Sequence, residues 1–463
     1  MKRYLVFALV LMSALTGMAQ TYDMDVVLKN GTHQRFPADS VSEVRFVTND
    51  DEQSQDVNIL TDQYFPDAEL RKAVKTQVAG GRDILSAKDA ASYQGGLTLH
   101  TPYVKDFSGI ELLKSLTSLQ ADGVYATTLD VSKLSNLKIL TVRNSMIQNL
   151  NLGDPKQLRK LDIGRSKLTN YDLSVLPDEM SSIKVDGLEY TALDFTRFKD
   201  IDTISCSQNK LTSLKVEGLT HLKSIIFSTN DLKEVSLKGC CALEMVVGTY
   251  NFNLASVDVT GCNSLKHFMF MYTGLEQFDV TPFASTIEEL NLGWTKIKTL
   301  DISKCSNLTY LAVNNCDISD ELDFSACTKL DELRVESTHI PNIDLSNCPD
   351  ISVLQCYEID KLKSLKLASH LRKLYQLNID TDPLLETFEW GSTDKLQYAN
   401  IYSTPLKRID LSKVNKDYKN IYLENNSNLS EIKVWKDFDL NNPPANIQKD
   451  ATAKFVYEFS QEQ

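Results

Sequence analysis

Apolar residues recur along this chain in a fixed rhythm. In Ile201, Ile204, Cys206, Asn209, Leu211, Leu214 and Val216 they stand at offsets −3, 0 and +2. A small or polar residue follows at +5, and apolar residues return at +7, +10 and +12. The same offsets hold Leu222, Ile225, Phe227, Asn230, Leu232, Val235 and Leu237, and later Ile287, Leu290, Leu292, Thr295, Ile297, Leu300 and Ile302. The position-0 anchors number fifteen, from Leu119 to Ile421, and every step between them is 21, 22 or 23 residues. The −3, 0, +2 alternation predicts a short strand with one buried face. Stacking such strands about 4.8 Å apart gives a parallel sheet roughly 70 Å long. The +10, +12 pair predicts a second extended segment on the opposite side. One coil cannot bury its own apolar face, so stability must come from neighbouring coils.

The pattern resembles the leucine-rich repeat, L-x-x-L-x-L-x-x-N-x-L. Its second half, as in Leu300-Asp301-Ile302-Ser303 and Ile343-Asp344-Leu345-Ser346, is similar to the short-repeat, internalin-like subclass of bacterial secreted proteins. The resemblance covers roughly residues 57–437. It implies a right-handed solenoid of about fifteen coils, of mainly-β or α/β type, with a parallel sheet on one face and a helical N-terminal cap. At +5, Asn209, Asn230 and Asn426 suit an inward asparagine that satisfies turn backbone groups, whereas Thr273, Thr295, Thr338 and Cys316 interrupt any ladder.

The cap is expected over 57–115. Asp67 is placed to cap a helix with an apolar stripe of Leu70, Val74 and Val78, and Ser86 to start a second one. Related caps carry a calcium-loop-like stretch. Here Asp83 is the one acid between Ala79 and Ser86, and calcium takes six or more oxygens, so calcium is not carried over. The repeats are expected over 116–437 and a C-terminal cap over 438–463, where Phe455, Tyr457 and Phe459 alternate as a final strand.

Ahead of the cap, Lys2 and Arg3 precede the apolar run Tyr4–Met12 and the small-residue site Gly17-Met18-Ala19. Residues 1–19 read as a secretory signal, which places the mature chain outside the cytoplasm: extracellular, at the cell surface or in the periplasm. No later apolar run reaches spanning length. Residues 20–48 read as a β-hairpin leader: Asp25–Leu28, a turn at Lys29-Asn30-Gly31-Thr32, then Val41–Val47. The segment resembles a leader of secreted Gram-negative gut bacterial proteins. Residues 49–56 are an acidic linker.

The net charge is −13, from 49 basic and 62 acidic residues, and an acidic chain gains nothing from neutralising phosphates, so no nucleic-acid partner is expected. No stretch outside the repeats is long enough for a separate catalytic domain. The six histidines show no metal-binding spacing, and neither a G-x-S-x-G elbow nor a phosphate loop occurs. No enzyme activity, cofactor or metal is expected. Cys240, Cys262, Cys305, Cys327 and Cys348 share offset −6 with Leu134, Phe198, Leu219, Ala284 and Leu371. That marks a core slot of reduced thiols, with one disulfide between adjacent coils as the rival. Cys241 should point outward.

The outward offsets of the sheet carry the remaining signal. At +4, three successive coils hold Tyr250, Tyr272 and Trp294, with His267, Met269, Met271 and Tyr310 close by on outward offsets. An exposed apolar and aromatic patch marks an interaction site. A second group, Tyr357, Tyr398, Tyr402 and Tyr422, lies nearer the carboxyl end beside Asn378, Asn400 and Asn420. The sequence therefore points to a non-catalytic recognition protein whose sheet face binds a protein partner. A glycan-binding module and a structural surface spacer are the alternatives.

Overall fold

The computed structural model describes residues 24–27, 33–36 and 57–461. The chain divides into two units, residues 1–57 and 58–463. In the first, Met24–Val27 pairs antiparallel with His33–Phe36, Val27 opposite His33. Val41–Val47, the other strand-like stretch of the expected leader, is not among the described residues. The signal segment 1–19 and the linker 49–56 also lie outside them.

The second unit is a solenoid. Short strands, most of three residues, pair in parallel through one seventeen-strand sheet that begins at Gly96–Thr98 and ends at Ile447–Lys449. The register joins the anchors to one another: Leu119 pairs with Leu140, Ile204 with Ile225, Phe268 with Leu290 and Ala399 with Ile421. All fifteen lie in one interior column, at most 1 % exposed. The sheet also takes in Leu97 and Ile447, so the expected caps each contribute a strand to it. On the opposite side the +10 segments form short parallel sheets of two to four strands, such as Ala192–Asp194, Ser213–Lys215, Glu234–Ser236 and Ser256–Asp258. Lys454–Val456 closes that side by pairing with Glu431–Lys433.

Local chemistry explains the coil. In the D-x-[S/T] segments the aspartate turns back on its own chain: Asp301 Oδ1 accepts from the N–H of Ser303 at 3.0 Å, and Asp344 from that of Ser346 at 2.9 Å. At +5, Asn230 Nδ2 donates to Phe227 O (2.9 Å) and to Cys206 O of the preceding coil (3.1 Å). Asn209 and Asn251 do the same, so the ladder runs over three consecutive coils. At −6 the cysteines are buried free thiols. Cys240 Sγ donates to Val216 O and Cys262 Sγ to Leu237 O, each at 3.2 Å. Burial pushes Cys262, Cys327 and Cys348 up to about 12, so they are not thiolates at neutral pH. Cys241 is exposed.

The N-terminal cap folds as its sequence dictates. Helix Ala68–Gln77 starts at Asp67, whose carboxylate accepts from the N–H groups of Glu69 and Leu70, and it buries Leu70 and Val74. Ser86 caps Ala87–Ser92. Asp83 is committed to Lys75.

Candidate functional site

The strand ends of the sheet decide where side chains can emerge. After each sheet strand the chain must turn, and the +4 residue takes a left-handed conformation to do so. Every coil from Gly123 to Asn425 repeats it: Asn144, Gln208, Thr229 and Asn315 have φ between 52° and 57°. A backbone hydrogen bond to the next coil fixes the turn. The N–H of Tyr250 donates to Met271 O at 3.0 Å, Tyr272 to Gly293 O at 3.1 Å and Trp294 to Asn314 O at 2.8 Å. The left-handed region suits glycine and asparagine and is an outlier for bulky residues. The chain nonetheless places Tyr250, Tyr272 and Trp294 there, at φ 58°, 55° and 59°.

The three rings form a stack. Tyr250 lies 4.9 Å from Tyr272 at an interplanar angle of 8°, and Tyr272 lies 5.2 Å from Trp294 at 18°. These separations follow the coil repeat of about 4.8 Å. Phe252, at +6, meets Tyr250 edge-on at 6.2 Å and extends the ribbon to four rings. Tyr250 and Trp294 are each 46 % exposed, and Phe252 is 67 % exposed. The outward offsets −1, +1, +3 and +4 did not reach Phe252. Its signal is that other coils put Lys210, Asp231, Lys296 and Asp317 at +6.

The remaining candidates separate into two ends of the strand. Met271 adjoins Tyr272 and is half-buried beside the ribbon. Met269 is the partner of Val247 and Asn291 within the sheet. His267 and Tyr310 sit at offset −1, five residues from the ribbon, roughly 16 Å along an extended strand. His267 Nδ1 lies 3.1 Å from Glu289 Oε2. Tyr310 accepts from Asn291 Nδ2 at 3.5 Å, and burial raises its phenol above the ordinary tyrosine range. The ribbon and Met271 thus form one surface, with His267 and Tyr310 outside it.

Beneath the ribbon the core is aromatic. Phe268 stacks on Phe270 at 4.1 Å and on Phe278 at 4.2 Å, and Phe227 meets Phe270 edge-on at 5.8 Å. Gly248 occupies the +2 slot between them. A Cβ there would lie 2.7 Å from both Phe227 and Phe270, so glycine is what lets the two rings touch.

One polar constellation elsewhere has the elements of nucleophilic catalysis. His370 Nδ1 lies 2.7 Å from Ser392 Oγ, and His370 Nε2 lies 3.2 Å from Asp394 Oδ2. An acyl-transfer site also needs unspent donors for a developing oxyanion. The N–H groups of Ser392, Thr393 and Asp394 are bound to Ser369 O, Lys413 O and Leu371 O. Half-exposed His370 and Asp394 face solvent. The group is a surface hydrogen-bond network between adjacent coils. Gly391 belongs to the same contact, since a Cβ there would lie 2.0 Å from Ser369 O.

Comparison with known proteins agrees with this architecture. The family model of the leucine-rich-repeat domain of the endo-β-N-acetylglucosaminidase EndoS matches residues 65–183, about a quarter of the chain. Among solved structures, YopM from Yersinia enterocolitica is 19 % identical over 79 % of this chain and 82 % of its own, with a TM-score of 0.56. The functional domain of InlJ from Listeria monocytogenes, which includes a cysteine ladder, is 21 % identical over 82 % of this chain and 76 % of its own, with a TM-score of 0.47. No curated protein matches the chain in sequence. The chain has a leucine-rich-repeat fold. Among the described residues no helix is long and apolar enough to cross a membrane.

Proposed function

We propose that this protein is a non-catalytic recognition protein, acting outside the cytoplasm, that binds a protein partner through the Phe252–Tyr250–Tyr272–Trp294 ribbon. The observation that carries this reading is three successive bulky rings at a left-handed turn position that glycine or asparagine would fill at lower cost. Stacked exposed rings on a rigid support are the composition of an interface anchor. Because their mutual stacking and the backbone hydrogen bonds of the turn hold them, little side-chain entropy is lost on association. The basic and apolar segment ahead of residue 20 supports a location at the surface or beyond it.

The test is capture of partners from host-cell and bacterial surface extracts by the wild-type chain and by a Tyr250→Ser, Tyr272→Ser, Trp294→Ser variant. A partner retained by the wild type should be lost from the variant, with the unfolding midpoint of the two matched. Equal capture by both would overturn the reading.

A further inference from the structure

Four coils beyond Trp294 the same sheet changes character. Gln376–Asp380 and Tyr398–Tyr402 are five-residue strands, paired along their full length from Gln376↔Tyr398 to Asp380↔Tyr402. Asn420–Leu423 continues the register through Tyr398↔Asn420 and Asn400↔Tyr422. Because the ladder reaches +3 here, side chains at −1, +1 and +3 stand in a regular array on one face. The following turns hold Thr381, Ser403 and Asn425, short residues that leave the array uncovered where the ribbon coils place rings.

The array bounds a recess of about 680 Å³, within the range of small-molecule sites. Tyr398, Tyr402 and Tyr422 supply ring surfaces. Asn378, Asn400, Asp380 and Glu424 supply planar polar groups between them. Part of this chemistry is already ordered: Asn378 Nδ2 donates to Gln355 Oε1 at 2.7 Å, Asn400 Nδ2 to Asp380 Oδ2 at 3.3 Å, and Asn425 Nδ2 to the Tyr402 hydroxyl. Tyr375 meets Tyr398 edge-on at 5.7 Å and steadies it from outside.

We propose that this recess is a binding site for a neutral oligosaccharide, separate from the aromatic ribbon. A pyranose presents an apolar C–H face and a rim of hydroxyls, each both donor and acceptor. The tyrosine faces match the first and the amide and carboxylate groups match the second. The recess is lined by two carboxylates, Asp380 and Glu424, and the one cation at its edge, Lys419, lies over the Tyr398 ring at 5.6 Å, so a phosphate, sulfate or uronate would meet a net like charge. It offers no deep apolar pocket for a peptide anchor, and its open form suits a chain of about two or three sugar rings.

The full-length protein should be titrated calorimetrically with maltotriose, cellotriose, chitotriose and xylotriose, and with a sulfated heparin disaccharide. At least one neutral trisaccharide should bind saturably, and the sulfated sugar should not. Tyr398→Ala combined with Tyr402→Ala should weaken binding at least about tenfold. Asn400→Leu, which keeps shape and rings, should do so too, while the Tyr250/Tyr272/Trp294 serine variant should bind like wild type. Equal unfolding midpoints show that the variants are folded. The proposal is overturned if no neutral trisaccharide saturates by about 20 mM, roughly twentyfold above a millimolar Kd. Equal binding of the sulfated sugar, or undiminished binding by both recess variants, would also overturn it. Because the serine variant tests the ribbon and these variants test the recess, either site can fail alone.

Discussion

At the scale of single residues, two positions depart from what the coil requires. The first is the ring-bearing +4 turn. A left-handed residue with a Cβ costs on the order of 1–2 kcal/mol, and each stacked ring pair returns about 0.5–1.5 kcal/mol. Three such turns cost about 3–6 kcal/mol and the two stacked pairs return about 1–3 kcal/mol, so the rings are not needed for folding. Replacing Tyr250, Tyr272 and Trp294 by Asn, the residue this chain uses at Asn144, Asn315 and Asn425, should leave the urea midpoint within the equivalent of about 1 kcal/mol. A loss of several kcal/mol would mean that the stack exists to hold the solenoid together.

The second is Asp382, in the +5 slot that asparagine fills elsewhere. It is fully buried, its Oδ1 accepts from Ile359 N at 2.8 Å, and its Oδ2 has no hydrogen-bond partner. Burial pushes its pKa up to about 8, with Asp380 and Glu358 adding repulsion. The folded chain therefore holds a proton that the unfolded chain releases near its ordinary 3.8. The stability contribution is complete below that value and is lost as pH rises through about 8. Asp382→Asn supplies a permanent N–H donor, as Asn230 does. Its stability advantage over wild type should grow between pH 5 and pH 8.5, by at most roughly 1.4 kcal/mol per unit. Parallel pH profiles in urea unfolding would contradict this.

At the scale of elements, the strands and turns were legible because their periodicity is enforced twice, by the buried column and by the turn that follows it. Ile204, Ile225 and Leu290 fall where the spacing placed them, and Asp67 and Ser86 cap the expected helices. Gly248 was harder to read. In the pattern it is a missing apolar residue at +2, whereas in the fold it makes room for Phe227 against Phe270. Gly248→Ala should cost about 1–3 kcal/mol through overpacking, seen as a lower thermal midpoint. An unchanged midpoint would show that the phenylalanine cluster yields freely. The strand His33–Phe36, which pairs with Met24–Val27, was not read from the sequence, because His-Gln-Arg-Phe holds a single apolar residue and so shows no alternation. The back-face aspartates have a collective consequence. Their hydrogen bonds to Ser or Thr hold Asp130, Asp194, Asp258, Asp301, Asp323 and Asp344 below the ordinary carboxylate range. Their contribution is therefore present above that range and fades as pH falls through the lowered values.

At the scale of the whole solenoid, each coil rests on its neighbours and the surface is assembled from one position per coil. Interior positions repeat and so betray themselves. Surface positions acquire meaning only in sets, which is why Tyr250, Tyr272 and Trp294 were visible as a run of three while Phe252 was not. The second group, Tyr398, Tyr402 and Tyr422 beside Asn378 and Asn400, was visible as residues, but the recess they bound was not, since it depends on a five-residue ladder that no single coil announces. The most direct test of the recognition claim is photocrosslinking. A benzophenone amino acid is placed at Trp294, or at exposed Lys215 on the opposite strand Ser213–Lys215, and the full chain is irradiated with surface extract. A discrete partner adduct is expected from position 294 and not from 215. An adduct from 215 with none from 294 would contradict the assignment of the ribbon as the binding surface.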